Sequence, residues 1–384
     1  MVAAVRRGRS LRVVARQFRV SPDTVHHWVQ RAEGQRLPRV DWYDRPRAPH
    51  HPPRTEAAIE EQILAARRAL EQSSDLGFHG AEAIHQVLSA RKVEGLPTVR
   101  TIGRILRRCG VLDGQARVRR RPPPSGGYLP EVAVRRRELD GFDVVEGLVI
   151  KGGPQVEVLN GISLHGGLAV SWPRGSSITA RFVVECLIEH WKAVGLPGSC
   201  PFDNDTIFQG PHAHPDTLGR VTRRCLSRGG VPVVVPPRAP GFQAIIEGSN
   251  GTWPAKLWAR FEHVDLSDRE GHSSRFVAAH RRHRADRIES APRRRAFPEG
   301  WKLNLHARPR GRIVYLRRTD ASGVVELLNR RFEVDRQWLH RLVRAEVDLD
   351  GGVVRFDRLR RREPADQPLL KPVTYRLPER RFHD

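Results

Sequence analysis

Cysteine is scarce in this 384-residue chain: Cys109, Cys186, Cys200 and Cys225 lie far apart, with no C-x-x-C pair. That excludes a disulfide framework and a zinc knuckle. Long hydrophobic runs are missing too. Although 39% of the residues are hydrophobic, enough for globular cores, no stretch approaches the roughly 18 apolar residues of a membrane span. Arg6, Arg7 and Arg9 are not followed by an apolar segment, so no secretory signal is expected. The first ten residues leave little room for a helix ahead of the first helical pattern, so the start reads as truncated. The chain reads as soluble and cytoplasmic, without a membrane partner. No tandem repeat of solenoid period is visible.

What is abundant is positive charge. Sixty-seven Lys and Arg against 43 Asp and Glu leave a net +24, which makes a polyanion, and most commonly nucleic acid, the default partner. The charge is unevenly spread. Residues 1–125 hold 24 basic and 12 acidic residues, 126–260 hold 14 and 12, and 261–384 hold 29 and 19. Two basic flanks thus surround a nearly neutral middle. Pro46, Pro49, Pro52 and Pro53 mark one seam, and Arg119–Arg121 running into Pro122–Pro124 mark another. The expected divisions are 1–45, 55–120, a linker over 121–130, a core over 131–298, and 299–384.

The first flank carries two helix-turn-helix patterns. Ser10 to Phe18 has Val13, Val14 and Phe18 at helical spacing; Arg19-Val20 breaks the run. Ser21-Pro22-Asp23 then supplies a serine cap, proline at the first position and an acid in the first turn. Arg19, Asp23, Thr24, His26, His27 and Arg31 are the candidate DNA contacts of this all-α unit. The second pattern follows a helical stretch at 56–72. It comprises a helix over 80–88 and another opened by Pro97-Thr98, running from Val99 to Arg108 and stopped by Gly110. Arg100, Arg104, Arg107 and Arg108 lie on or beside its polar face and are candidates for phosphate and groove contacts.

The neutral middle has strand character over 142–150, 156–159 and 168–172, then a helix over 177–194. A short strand ends at Phe202, a helix covers 218–226, a strand 231–235 and a long helix 242–261. This is a mixed α/β layer pattern. Asp143 lies inside the first strand. Asp203 exits the fourth within Phe202-Asp203-Asn204-Asp205, after Gly195-Leu196-Pro197. Glu247 opens a helix within Pro240-Gly241-Phe242-Gln243-Ala244-Ile245-Ile246-Glu247-Gly248-Ser249-Asn250.

In element order and in these blocks the chain resembles the ribonuclease H-like catalytic core of retroviral-type integrases and bacterial insertion-sequence transposases. The likeness extends to the helix-turn-helix arm before the core and the basic region after it. It implies Asp143, Asp203 and Glu247 as a catalytic, metal-holding triad for Mg²⁺, with Mn²⁺ as a substitute. It further implies double-stranded element ends and target DNA as partners, a homo-oligomer on that DNA, and the bacterial cytoplasm or nucleoid as location. The chemistry asks for the same residue types: hydroxyl displacement at phosphodiester phosphorus builds charge on attacking and leaving oxygens. Two hard cations about 4 Å apart, held by carboxylates, stabilise both. Asp140, three residues before Asp143, is the alternative first ligand; Asp143 is preferred because it sits inside the apolar run. Asp205 is expected to cap the following turn. Gly248 inside the Glu247 helix costs about 1 kcal/mol relative to Ala, so the triad can be present yet poorly supported.

His280-x-x-His283 stands among Arg281, Arg282 and Arg284, and His212 and His214 follow Pro211. Without a partner ligand set, these are read as surface or phosphate-facing rather than metal-binding. Arg275 to Arg295 form a basic helical stretch suited to backbone binding. Strands over 313–316, 324–328, 342–347 and 353–356 predict a small C-terminal β-barrel, with Arg317, Arg318, Arg330, Arg331 and Arg358–Arg362 facing phosphate. The expected activity is DNA transposition by hydrolysis and strand transfer. The competitors are a sequence-specific DNA-binding protein that has lost catalysis and a nuclease that cleaves without joining.

Overall fold

The computed structural model describes residues 1–43, 55–112, 126–210, 214–237, 239, 241–302, 304 and 306–379. The proline-rich seam at 46–53, the Arg119–Pro124 run, His212 and Pro240 lie outside the described residues. The chain divides into two compact units, Met1–Ala57 and Ala58–Asp384.

In the first unit α1 (Val2–Arg6), α2 (Leu11–Phe18) and α3 (Pro22–Arg31) pack around Val14, Ala15 and Val25. Helix α1 occupies the stretch read as too short for a helix. Ser10 accepts from the Val13 amide and Ser21 from the Thr24 amide, each satisfying a donor that the first turn leaves orphaned. Between the helices Arg19 takes a left-handed conformation, φ 53°, which closes α2 in a tight turn.

The second unit begins with α4 (Ala57–Ser73), α5 (Ala81–Ala90) and α6 (Val99–Arg108). Ile63, Ile84, Leu88, Ile102 and Ile105 form their shared core, and Thr98 caps α6. The expected linker ends earlier than 130. Tyr128 and Leu129 are buried, and Tyr128 donates to the Phe242 carbonyl at 3.0 Å. Helix α7 (Pro130–Ala133) follows directly.

The antiparallel strands β1 (Asp140–Val149), β2 (Gln155–Ser163) and β3 (Ala169–Arg174) come next. A bulge around Glu146-Gly147 shifts the β1–β2 register beyond Val145. Helix α8 (Ala180–Val194), β4 (Ser199–Phe202), α9 (Thr206–Gln209), α10 (Arg220–Leu226) and β5 (Val231–Val234) complete the alternation. A parallel bridge from Leu139 to Ser199 joins β1 to β4, and β4 pairs in parallel with β5.

Two expectations change here. The long helix over 242–261 is two pieces, α11 (Ala244–Trp253) and a π-helical turn over Pro254–Trp258. Pro254 has no N–H to give the preceding turn, and the Ala259 amide reaches back to the Pro254 carbonyl instead. The basic stretch is likewise α12 (Leu266–His283) and α13 (Ala285–Glu289). Several of its arginines face the protein: Arg281 donates to Ala169 and Arg287 to His165 and Leu164, stapling the helices to the β2–β3 hairpin.

A separate C-terminal β-barrel is not what the described strands form. β6 (Arg312–Arg318) pairs in parallel with β5, Val233 opposite Val314 and Val234 opposite Tyr315. β9 (Leu342–Asp348), β10 (Val353–Arg358) and β11 (Leu369–Thr374) continue antiparallel, giving one open six-stranded sheet, β11-β10-β9-β6-β5-β4. The hairpin of β7 (Val324–Leu327) and β8 (Arg330–Glu333) contributes Val325 and Leu327 to the same core as Ile313, Tyr315 and Val343. The reason is in β6 itself. Ile313, Val314, Tyr315 and Leu316 are buried in succession, as a strand covered on both faces requires. Joining β5 also removes an exposed edge.

Candidate active site and basic faces

The bridge from Leu139 to Ser199 sets the relation between the first two acids. The same number of residues onward along both parallel chains leads to Asp143 on β1 and Asp203 just beyond β4. Asp143 is half-buried. Its Oδ1 accepts from the Val144 amide at 2.9 Å and its Oδ2 from Asn250 Nδ2 at 2.8 Å. Asn250 in turn accepts from Asn160 at 3.0 Å, and Asn160 lies opposite Asp143 on β2. Burial raises the Asp143 pKa, against the Asn250 and Val144 hydrogen bonds, with help from the charges of Glu247 and Asp205.

Asp203 accepts from the Asp205 amide at 3.0 Å, and its carbonyl accepts from Gln209 Nε2 at 3.1 Å. Burial pushes its pKa up to about 6, reinforced by the negative charges of Asp143, Asp205 and Glu146. Asp205 caps α9, accepting from the Ile207 amide at 2.7 Å. Glu247 stands in the first turn of α11, exposed, and accepts from the Gly241 amide at 3.1 Å. Its charge reaches Asp143, but among the described residues the three carboxylates do not form a set whose ligand atoms all lie within 4.8 Å of one another.

The alternative first ligand has a different fate. Asp140 is fully buried and receives both arms of Arg294, at 2.9 and 2.5 Å, and Trp191 Nε1 at 3.3 Å. His190 stands 3.7 Å away. Burial works to raise its pKa, but the Arg294 charge and the hydrogen bonds win, holding the carboxyl well below the usual range.

The residues that steady this region include several not singled out by sequence reasoning. Asn160 and Arg294 are among them. Arg317, expected to face phosphate, instead turns inward. It donates to the Val235 carbonyl at 3.0 Å and to Asn204 Oδ1 at 3.0 Å, while Asn204 donates to Val235 at 2.8 Å. Strand β6 therefore braces the Asp203-Asn204 turn. Burial pushes the Arg317 pKa down to about 10. Arg330 is likewise engaged, with both arms on Asp216 at 2.7 Å.

Of the candidate DNA contacts, Arg19, Asp23, His26 and His27 are exposed, and Thr24 belongs to the Ser21 cap. Arg31 is only 9% exposed; it bonds Asp41 and the Tyr43 carbonyl and lies over the Trp28 ring. It is thus a structural arginine. Arg100, Arg104 and Arg107 are exposed along one side of α6, whereas Arg108 is paired with Glu60. The half-buried His280 has its pKa pushed down to about 4, by burial and then by Arg284, His283 and Arg287. No helix among the described residues is long and apolar enough to cross a membrane.

No protein-family model matches the chain, and no curated protein matches it in sequence. Among solved structures it is similar to the catalytic core domain of BIV integrase, at 18% identity and a TM-score of 0.27, over 37% of this chain and 80% of that one. It is also similar to a chain of the simian T-cell lymphotropic virus intasome in complex with PP2A regulatory subunit B56 gamma. That likeness has 15% identity and a TM-score of 0.33, over 72% and 92% of the respective chains.

Proposed function

We propose that the protein is a DNA transposase or integrase-like strand transferase acting through Asp143, Asp203 and Glu247. The observation that carries this is the pair of half-buried carboxylates, Asp143 and Asp203, whose hydrogen-bond donors are uncharged amides; burial first, and then neighbouring acids (Glu247 and Asp205 for Asp143, Asp143 and Asp205 for Asp203), raise the pKa of each. Hard oxygen donors crowded in this way fit a divalent cation, whose charge would offset both. Mg²⁺ held by Asp143, Asp203 and Glu247 would supply charge stabilisation at the attacking and leaving oxygens. The chain's own work is positional. The Asn160–Asn250 relay orients one Asp143 oxygen, and Arg317 with Asn204 fixes the turn that carries Asp203. Glu247 must leave the Gly241 amide to join them, a side-chain movement on the first turn of α11.

The exposed arginines of α6 and the exposed face of α3 are the proposed DNA-holding surfaces, for element ends and target, in a homo-oligomer that brings two ends together. Water and then a DNA 3′-hydroxyl serve as nucleophiles, so no covalent intermediate with the protein is needed. The test is a strand-transfer assay with purified protein, Mg²⁺ and end DNA. Asp203→Asn is expected to abolish joining and leave end binding nearly intact; joining retained in that variant overturns the assignment.

A second reading, a DNA-binding protein without catalysis, is favoured by one observation. Glu247 is turned onto its own loop, on a helix weakened by Gly248 and Gly251. It predicts end binding with no metal-dependent nicking by the unmodified chain.

A further inference from the structure

Away from the carboxylates, one other group of metal-ligating side chains converges. His263 sits between the π-helical turn and α12, and Asp268 and His272 stand one turn apart on α12. That i,i+4 spacing puts both on one helix face. Asp268 Oδ1 lies 3.4 Å from His272 Nδ1, and its Oδ2 lies 4.0 Å from His263 Nδ1. One ligand atom from each residue falls within 4.8 Å of the other two.

The imidazoles are dry and unmatched. The His263 side chain is 4% exposed, and neither of its ring nitrogens has a hydrogen-bond partner; nor does His272 Nδ1. The Trp258 carbonyl approaches the His263 ring without meeting hydrogen-bond geometry. A buried polar atom left this way carries an uncompensated desolvation cost, which a bound ion would relieve. The rings cannot easily swing to water: His272 stacks on Phe261 at 4.4 Å between centroids, and His263 leans on Trp258 at 4.9 Å. The neighbouring cation, Arg269, lies with its guanidinium 4.4 and 4.5 Å from the centroids of the Trp253 and Trp258 rings, without hydrogen-bond partners, and its charge reaches His263.

We propose that His263, Asp268 and His272 bind a divalent transition-metal ion, Zn²⁺ by preference, with a fourth position open to solvent beside Asp268. Two imidazole nitrogens and one carboxylate oxygen suit zinc, whereas imidazoles do not attract Mg²⁺. Asp268 is 35% exposed, which leaves the ion a way in. Bound there, the ion would clasp the turn between the π-helical segment and α12. The site shares no residue with the proposed triad and does not depend on it.

The test uses the full chain, dialysed against micromolar Zn²⁺ with excess Mg²⁺ and measured by elemental mass spectrometry. About one zinc per chain is expected, as a single three-ligand site requires. Asp203→Asn should keep that zinc, which separates it from any ion at the carboxylates. His263→Ala combined with His272→Ala should lose it. Asp268→Asn, which preserves shape, should weaken Zn²⁺ affinity by at least about tenfold, and its melting temperature should barely respond to Zn²⁺ while that of the unmodified chain rises. Co²⁺ in place of zinc should give visible d–d bands that vanish in the double variant. The proposal is overturned if the unmodified chain retains no more zinc than the double variant, or if Asp203→Asn loses the ion.

Discussion

Asp140 and Asp143 leave the same strand three residues apart, and the protein treats them in opposite ways. At the closed end of β1, Asp140 is sealed from water and matched by Arg294, Trp191 and His190. In the open part, Asp143 faces Asp203 across two parallel chains, and the groups that touch them are neutral amides. The first carboxylate is held below its ordinary pKa and the other two above it. Charge matched internally builds structure; charge left unmatched in a half-buried place is available to an outside cation.

The contrast can be broken most visibly by removing one open-end charge. Asp203→Asn is expected to eliminate strand transfer while the chain stays folded, read by joining assay and circular dichroism together. At the closed end the effect should be on folding. Arg294→Ala strands a buried carboxylate and should cost about 3–5 kcal/mol, measured by denaturant unfolding. Replacing both partners by apolar residues of similar volume should recover most of that loss.

The same distinction between engaged and free charge extends to α6. Losing Arg100, Arg104 and Arg107 together should lower the slope of log affinity against log salt by about 2–3. Arg108→Ala, whose partner is Glu60, should leave the slope nearly unchanged and reduce stability slightly. The smallest effect concerns pH. The folded Asp203 pKa, about 6, exceeds the ordinary carboxylate value, so folding is penalised once the group ionises. Without metal, Asp203→Asn should therefore melt higher than the unmodified chain above pH about 6. That gap should close as pH falls through this value toward about 4, the ordinary range of an unfolded aspartate. Adding Mg²⁺ should stabilise only the chain that keeps the aspartate.

Local signals were readable in the sequence where local physics decides. The serine caps, the Pro22 start of α3 and the strand-helix alternation of the core lie where spacing and cap chemistry put them. What escaped is what distant partners decide. Nothing near Asp140 announces Arg294, which lies 154 positions away, and nothing near Asn204 announces Arg317. A run of arginines looks the same whether it faces phosphate or staples a hairpin, so Arg281, Arg287 and Arg31 were legible only as charge. The β5–β6 pairing is invisible for the same reason: strand composition reports burial, not which edge a strand will join. Asp268 and His272 carried a readable i,i+4 spacing, but His263 lies outside that helix and joins them only through the turn between α11 and α12.

The parallel seam between β5 and β6 has a consequence for how the chain is born. A ribosome delivers all three acids and both strands that hold the aspartates well before it delivers β6. Until Val314 and Tyr315 emerge, the β5 edge offers unpaired backbone groups to any other chain nearby. A nascent or clipped chain ending after α13 would thus carry the full acidic set while lacking both its edge cover and the Arg317 brace on the Asp203 turn. Such a fragment should pair with its own kind rather than remain single. The last strands, far from an appendage, complete the sheet that the earlier ones begin.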